Sequence, residues 1–319
     1  MEKIELRKIR DFGALFNDGI AFLRKNYKSF FGSIIFLAGP FIIITALISG
    51  YLQSLQSALM GGNIFTSLRL GSTGGLMSAN FIGTLTIFIL LSMLTTLVTT
   101  ACICLYFKEY DKTSAENLPI SRSLISPNLA PACWRLFYNL LLLALLMGLA
   151  GLLIVGVCAV LFIIPVINVL VGIGLVVGII IIVPVLIYIL YVTNYIIIRD
   201  EVMVTDAIGK AYRYVRGNFW WTWLLMVAVG ICVGTAASIF SLPITIINFT
   251  KAFTRAYDSS GGTGNSSMLI IIFGALSVVG QLLVVSPILY TFCIFNFYNN
   301  EERHEGTGLM SRIDEFDVK

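Results

Sequence analysis

The chain has 319 residues, 58% of them hydrophobic and only 12% charged, with a mean hydropathy of +0.92. Soluble domains carry about 25% charged residues, so this composition, with its long charge-free runs, excludes an ordinary soluble domain and indicates a membrane protein. The net charge of +4 is small, and the basic residues gather at the edges of apolar runs rather than along one extended polar face, which argues against nucleic acid as a partner.

The N-terminal lead, residues 1–29, reads as a cytoplasmic amphipathic helix. Phe12, Leu15, Phe16, Ala21, Phe22 and Leu23 supply its apolar matter, and Arg24, Lys25 and Lys28 its charge, the pattern of a helix lying in a membrane interface. The first apolar run begins near Phe30 and is too long for the core of a secretory signal, so it is expected to remain as a span.

An α-helix needs about 20 apolar residues to cross about 30 Å of hydrocarbon. Six segments qualify: Phe30–Tyr51, Phe81–Phe107, Leu136–Ile164, Val169–Ile198, Phe219–Phe249 and Met268–Phe297. The third and fourth share one charge-free run between Arg135 and Arg199. Pro165 and Asn168 divide it, which predicts a tight hairpin. Pro127 and Pro131, with Pro119, predict a less helical segment over Asn117–Arg135. The outer connections, Gln53–Asn80 and Asp258–Ser267, are rich in Gly, Ser and Thr. The second ends in the formal sequon Asn265-Ser266-Ser267.

Within the spans, Thr86, Ser92, Thr95, Thr96, Thr99 and Thr100 give the second a partly polar face. Gly148, Gly151, Gly156, Gly172, Gly174 and Gly178 are expected to let helices approach closely. Pro40, Pro184, Pro243 and Pro287 are candidate kinks.

All but three of the 21 Lys and Arg residues lie in the N-terminal lead, the loops after spans 2 and 4, and the tail; the exceptions are Arg69, Lys251 and Arg255. The positive-inside rule therefore puts both termini in the cytoplasm. The expected fold is all-α, a polytopic bundle of six transmembrane helices forming one membrane domain over residues 1–319. Residues 30–298 form the bundle and residues 299–319 a charged cytoplasmic tail.

Two lead-ins resemble each other. Asp18-Gly19-Ile20 precedes Arg24-Lys25-Asn26-Tyr27, and Asp206-Ala207-Ile208 precedes Arg216-Gly217-Asn218-Phe219. Each is expected to turn at its Asn into a span. In the second, Val202, Ala207, Ile208, Ala211, Tyr212 and Val215 supply the apolar face, and Trp220, Trp221 and Trp223 suit a headgroup-level belt. Span 4 carries Pro184 and Tyr188, and span 6 Pro287 and Tyr290 at like positions. Three parallel lead-in-plus-hairpin repeats are expected.

The run Ala211-Tyr212-Arg213-Tyr214-Val215-Arg216-Gly217-Asn218-Phe219-Trp220 resembles a motif before the fifth span of a bacterial family. That family comprises the membrane domain of glycerophosphoryl diester phosphodiesterases and YciC-like six-span proteins. The resemblance implies a bacterial inner-membrane protein. The catalytic barrel of the phosphodiesterases is absent from the sequence, so their activity does not follow.

Catalytic chemistry is not visible. The six spans hold no Asp, Glu, Lys, Arg or His, and the one His, His304, stands in the tail. Such residues are the usual marks of proton relays and intramembrane catalysis. The six cysteines, among them Cys102 and Cys104, lack metal-ligand spacing. No catalytic residue, cofactor or metal is therefore assigned, and the protein is read as a non-enzyme. The candidate binding residues are Arg24, Lys25, Lys28, Lys210, Arg213, Arg216, Trp220 and Trp221, facing lipid headgroups. The partners expected are membrane lipids, anionic ones in particular, with a membrane-protein partner or a second copy as the other class. The alternative function is transport of a neutral or amphipathic solute, suggested by the Thr-rich second span and the intramembrane prolines. A hydrated path across the bilayer would favour that alternative; a solid core with clefts open to lipid would favour lipid handling.

Overall fold

The computed structural model describes residues 3–59, 79–113, 119–161, 165–257 and 266–306. Most of the Gln53–Asn80 loop, residues 162–164, the Asp258–Ser267 loop as far as Asn265, and the tail from residue 307 lie outside them, as do the surroundings of Gly151, Gly156 and Gly172. The break expected at Pro165 and Asn168 does not fall on those residues: both lie within a helix that begins at Pro165, whose fixed φ suits the first turn.

The described residues are mostly helical and include no strand. In chain order the helices are α1 (Phe12–Leu37), α2 (Gly39–Leu59), α3 (Ala79–Lys112), α4 (Arg122–Leu161), α5 (Pro165–Asp200), α6 (Val204–Gly217), α7 (Phe219–Tyr257), α8 (Ser266–Gly280) and α9 (Ser286–Glu305), with a π-helical turn over Gln281–Val285. Four stretches are long and apolar enough to cross a membrane: Asn80–Lys112, Val176–Asp200, Phe219–Lys251 and Ser267–Glu305. The pair Phe12–Leu37 and Gly39–Gln56 passes together but is bent by 64°. The chain is thus a multi-pass helical membrane protein with four such helices, or five with the bent pair as one span, among the described residues. Large apolar side chains such as Ile87, Leu90, Ile180, Ile239 and Ile246 remain exposed along these helices, as a surface facing hydrocarbon requires.

Three local expectations are corrected. The first lead-in does not turn at Asn26. That residue is buried, and its Nδ2 donates to the Phe22 carbonyl one turn back, so α1 continues to Leu37. The second lead-in does end where expected: α6 stops at Gly217 and α7 starts at Phe219, with Asn218 between them donating its backbone N–H to Val215. Nor do Pro127 and Pro131 interrupt the chain; α4 runs through both. Each proline forfeits one helical hydrogen bond, but Ile125, Ala132 and Leu136, spaced along one face, are buried and hold the helix in place. Finally, an added Cβ at Gly148, Gly174 or Gly178 would meet nothing within 4 Å among the described residues. The close approaches fall at Gly19, Gly50 and Gly280 instead.

The chain divides into two compact units. Unit 1 comprises Met1–Phe30, Thr100–Ile231 and Leu289–Lys319; unit 2 comprises Phe31–Thr99 and Cys232–Ile288. In unit 1, residues 101–107 of α3 and 290–302 of α9 are buried on every face, the mark of central helices. Phe22 stacks on Phe107 with ring centroids 4.8 Å apart and meets Tyr110 and Phe295 edge-on. Both amphipathic lead-ins turn their apolar sides into this unit: Leu15 and Phe22 of α1, and Val204, Ala207, Ala211, Tyr214 and Val215 of α6, are buried. Tyr214 takes the inward place expected of Tyr212, which is exposed. In unit 2, α2 packs on α8, and the Thr45 and Thr95 hydroxyls meet at 2.6 Å. The π turn is explained by Pro287, which has no N–H to offer the Leu283 carbonyl and crowds it; the turn passes instead through a wider bond from Ser286 N–H to the Gln281 carbonyl.

Candidate functional site

The candidate site is a cavity of about 930 Å³ in unit 1. One wall is the stretch of α1 from Arg24 to Ser29, and the other is Pro119, Ile120, Ser121 and Arg122. Helical spacing explains the first wall. Arg24 and Lys28 are one turn apart and Lys25 and Lys28 nearly so, which brings three cations onto neighbouring faces. The second wall is pinned by Ser29, whose hydroxyl donates to the Ile120 carbonyl at 2.7 Å, and by the buried Ile120 side chain.

Four cations line this cavity, and none of the described lining residues is a carboxylate. Like charges at these helical spacings cost about 0.2–0.5 kcal/mol per pair. Arg122 stands in the first turn of α4, where the helix dipole is positive and disfavours a cation while favouring an anion. No ion pair engages Arg24 or Lys28 among the described residues, and Lys28 lies over the Tyr27 ring at 5.8 Å. An anion is favoured both beside the like charges of α1 and at the N-terminus of α4.

The other cations of the expected set are placed differently, and none of them lines this cavity. Lys210 turns to Asp200 at 2.9 Å and to Glu301 at 3.6 Å. Those two carboxylates also hold Arg199, with Glu301 accepting from both Nη1 and Nη2 at 2.8 and 2.6 Å. Arg213 and Arg216 are exposed on α6. Trp220 is 66% exposed and suits a headgroup belt. Trp221 is half-buried, edge-on to Phe12 and beneath the Arg303 guanidinium. Sequence reasoning missed the second wall of the cavity; Arg122 was legible only as one more cytoplasmic charge.

A second polar cavity, of about 240 Å³, differs instructively. Lys108, Lys112 and Arg135 line it together with Glu109 and Glu201. Its charges satisfy one another: Glu201 accepts from Lys108 at 3.0 Å and from Arg135 at 2.8 Å. These bonds hold the Glu201 carboxyl below the ordinary carboxylate range. This is a clamp joining α3 and α4 to the end of α5. Glu201 also has a φ of 59°, a left-handed conformation that favours glycine. Glu201→Gln loses the ion pairs and keeps the strained backbone, whereas Glu201→Gly loses both, so the Gly variant should unfold at the higher temperature of the two. Because the folded-state pKa is depressed, the advantage of wild type over Glu201→Gln is present above the ordinary value of 4.5 and should vanish as pH falls through the folded value. Thermal unfolding of the three proteins across this pH range checks both points.

Tyr214 donates to Glu305, and burial with this acidic neighbour pushes its phenol well above the ordinary range. The N-terminal segment is stitched in as well. Arg7 pairs with Asp111 at 2.9 Å, the Arg10 amide donates to Asn299 Oδ1 at 2.7 Å, and Arg303 donates to the Arg10 carbonyl at 2.9 Å. Among the described residues no cluster of His, Cys, Asp and Glu forms a metal-holding group. Comparison with family models, with curated proteins and with solved structures finds no match for this chain.

Proposed function

We propose that the protein is a non-enzymatic, six-span protein of the bacterial inner membrane that binds anionic lipid headgroups at the cytoplasmic leaflet. The observation that carries this reading is the cavity where four cations, Arg24, Lys25, Lys28 and Arg122, converge. Its volume of about 930 Å³ suits a phosphorylated headgroup. Supporting arguments come from the sequence: the lysine and arginine asymmetry favours a cytoplasmic location for this wall, the resemblance at Ala211–Trp220 favours a six-span inner-membrane family, and Trp220 is exposed at a place suited to an interface. The parallel three-fold repeat belongs to the same proposal, resting on the sequence likeness of the two lead-ins and of the Pro184–Tyr188 and Pro287–Tyr290 segments.

Each cation near an anionic surface contributes about 1 kcal/mol of attraction. The triple variant Arg24→Gln, Lys25→Gln, Lys28→Gln should therefore reduce retained anionic lipid relative to zwitterionic lipid by about a hundredfold at low salt. The double variant Arg213→Gln, Arg216→Gln, outside the cavity, should change it far less. Mass spectrometry of lipid co-purified with each folded protein makes the comparison. An unchanged lipid ratio in the triple variant would sink the proposal.

A further inference from the structure

The least explained polarity within the apolar spans lies in unit 2. A cavity of about 200 Å³ is lined by Thr45 of α2, Ser92 and Thr96 of α3, Ser277 of α8 and Gln281 at the start of the π turn, with Phe88 among its apolar walls. Thr96 is the middle residue of the span Asn80–Lys112, and Gln281 lies near the middle of Ser267–Glu305. Polarity here faces hydrocarbon rather than water, and unpartnered polar groups in hydrocarbon are costly.

Part of that polarity is satisfied internally. Thr45 meets Thr95, Thr95 also lies within bonding distance of the Leu91 carbonyl at 2.8 Å, and Ser92 donates to the Ile89 carbonyl at 2.9 Å. Gln281 and Thr96 are different. Both side chains are exposed, and neither has a hydrogen-bond partner among the described residues. A primary amide offers two donors and an acceptor, and a hydroxyl offers one donor and accepts as well. The π turn beginning at Gln281 is a further departure from regular helix at the same place, of the kind often found at functional sites.

We propose that this cavity binds the hydroxyl-bearing end of an uncharged, membrane-soluble amphiphile, with the glycerol hydroxyl of a diacylglycerol as the model ligand. The chemistry selects the class. None of the described residues lining the cavity is charged, so none of them neutralises a phosphate, in contrast to the cationic cavity of unit 1. The amide of Gln281 and the hydroxyls of Thr96 and Ser277 can donate to and accept from an alcohol at once. The volume holds a small polar end and not a whole lipid, while the exposed Met93 and Leu276 offer an apolar surface for the chains.

The test uses the full-length protein in phosphatidylcholine nanodiscs with a photoactivatable diacylglycerol. Saturable crosslinking is expected within residues 88–96 or 277–282, displaced by unlabelled diacylglycerol and not by phosphatidic acid. The variant Gln281→Leu, Thr96→Val should bind about tenfold more weakly, the loss expected of one or two hydrogen bonds. It should still fold, because it removes unpaired polar groups from hydrocarbon; a melting temperature at or above wild type establishes this, and the single variant Thr96→Val serves if the double variant fails to fold. Labelling unaltered by the substitutions, or displaced equally by phosphatidic acid, would overturn the proposal. So would loss of a dimer on Gln281→Leu with labelling unchanged, which would assign the amide to a second copy of the chain.

Discussion

Replacing Arg199 by Leu should cost about 3–5 kcal/mol of folding stability, the range for removing one partner of a buried ion pair. Arg199 and Glu301 have side chains only 12% and 6% exposed and are joined by a forked pair of hydrogen bonds. With Asp200 and Lys210 they form a neutral quartet of two cations and two anions. Without Arg199, two carboxylates face the single ammonium of Lys210. The guanidinium is also stacked over Phe297, 4.7 Å from its ring centroid, and lies near Tyr195 and Tyr298, so packing is lost with charge. Arg199→Lys keeps the charge but not the fork and should lose less. The double variant Arg199→Leu, Glu301→Leu should be more stable than Arg199→Leu alone, because it leaves no uncompensated glutamate. Denaturant unfolding in mixed micelles measures all three. If the single and double variants are equally destabilised, the pair is not coupled and the quartet is only a surface cluster.

That quartet marks the boundary of what local sequence reveals here. The spans around Thr96, Tyr188 and Met226 were legible because hydrocarbon imposes a requirement on every residue in a run, whatever its partners. The break at Asn218 was legible because a charged segment with apolar residues at helical spacing meets an aromatic run there. The same pattern failed at Asn26, where the side chain bonds back to Phe22 and lets the helix continue. Glu301 and Arg199 were legible only as tail and loop charges; that they meet across 102 residues is a property of the packing. The candidate cavity was half legible. Arg24, Lys25 and Lys28 share a helix, so their spacing brings them together, whereas Pro119, Ile120, Ser121 and Arg122 reach them through tertiary contact such as that of Ser29 with Ile120. The glycines of the third and fourth spans illustrate the opposite error. A small residue permits close approach but does not attract it, and Gly148 and Gly178 have nothing near them among the described residues.

Gly50 is where a close approach does occur, and Gly50→Ala should be destabilising by about 2 kcal/mol. A methyl group there would meet the carbonyl oxygen of Ile271, with the carbonyl carbon at 2.9 Å and Cα at 3.0 Å. All three are backbone atoms, so no rotamer change makes room, and α2 must move away from α8 along the surface on which they pack. Overpacking of this kind costs about 1–3 kcal/mol, against a gain of up to about 1 kcal/mol from replacing Gly by Ala within a helix. The neighbouring Gly274 supplies the control on the same interface. A methyl group there would meet the end of the Gln53 side chain at 3.0 Å, which can swing aside, so Gly274→Ala should be neutral or slightly stabilising. Gly50→Val should be worse than Gly50→Ala, since a branched side chain enlarges the clash. Unfolding of the three variants in the same micelles distinguishes the explanations. Equal effects at Gly50 and Gly274 would mean that helix propensity governs both positions, and that α2 and α8 tolerate a wider separation than their backbone contact implies.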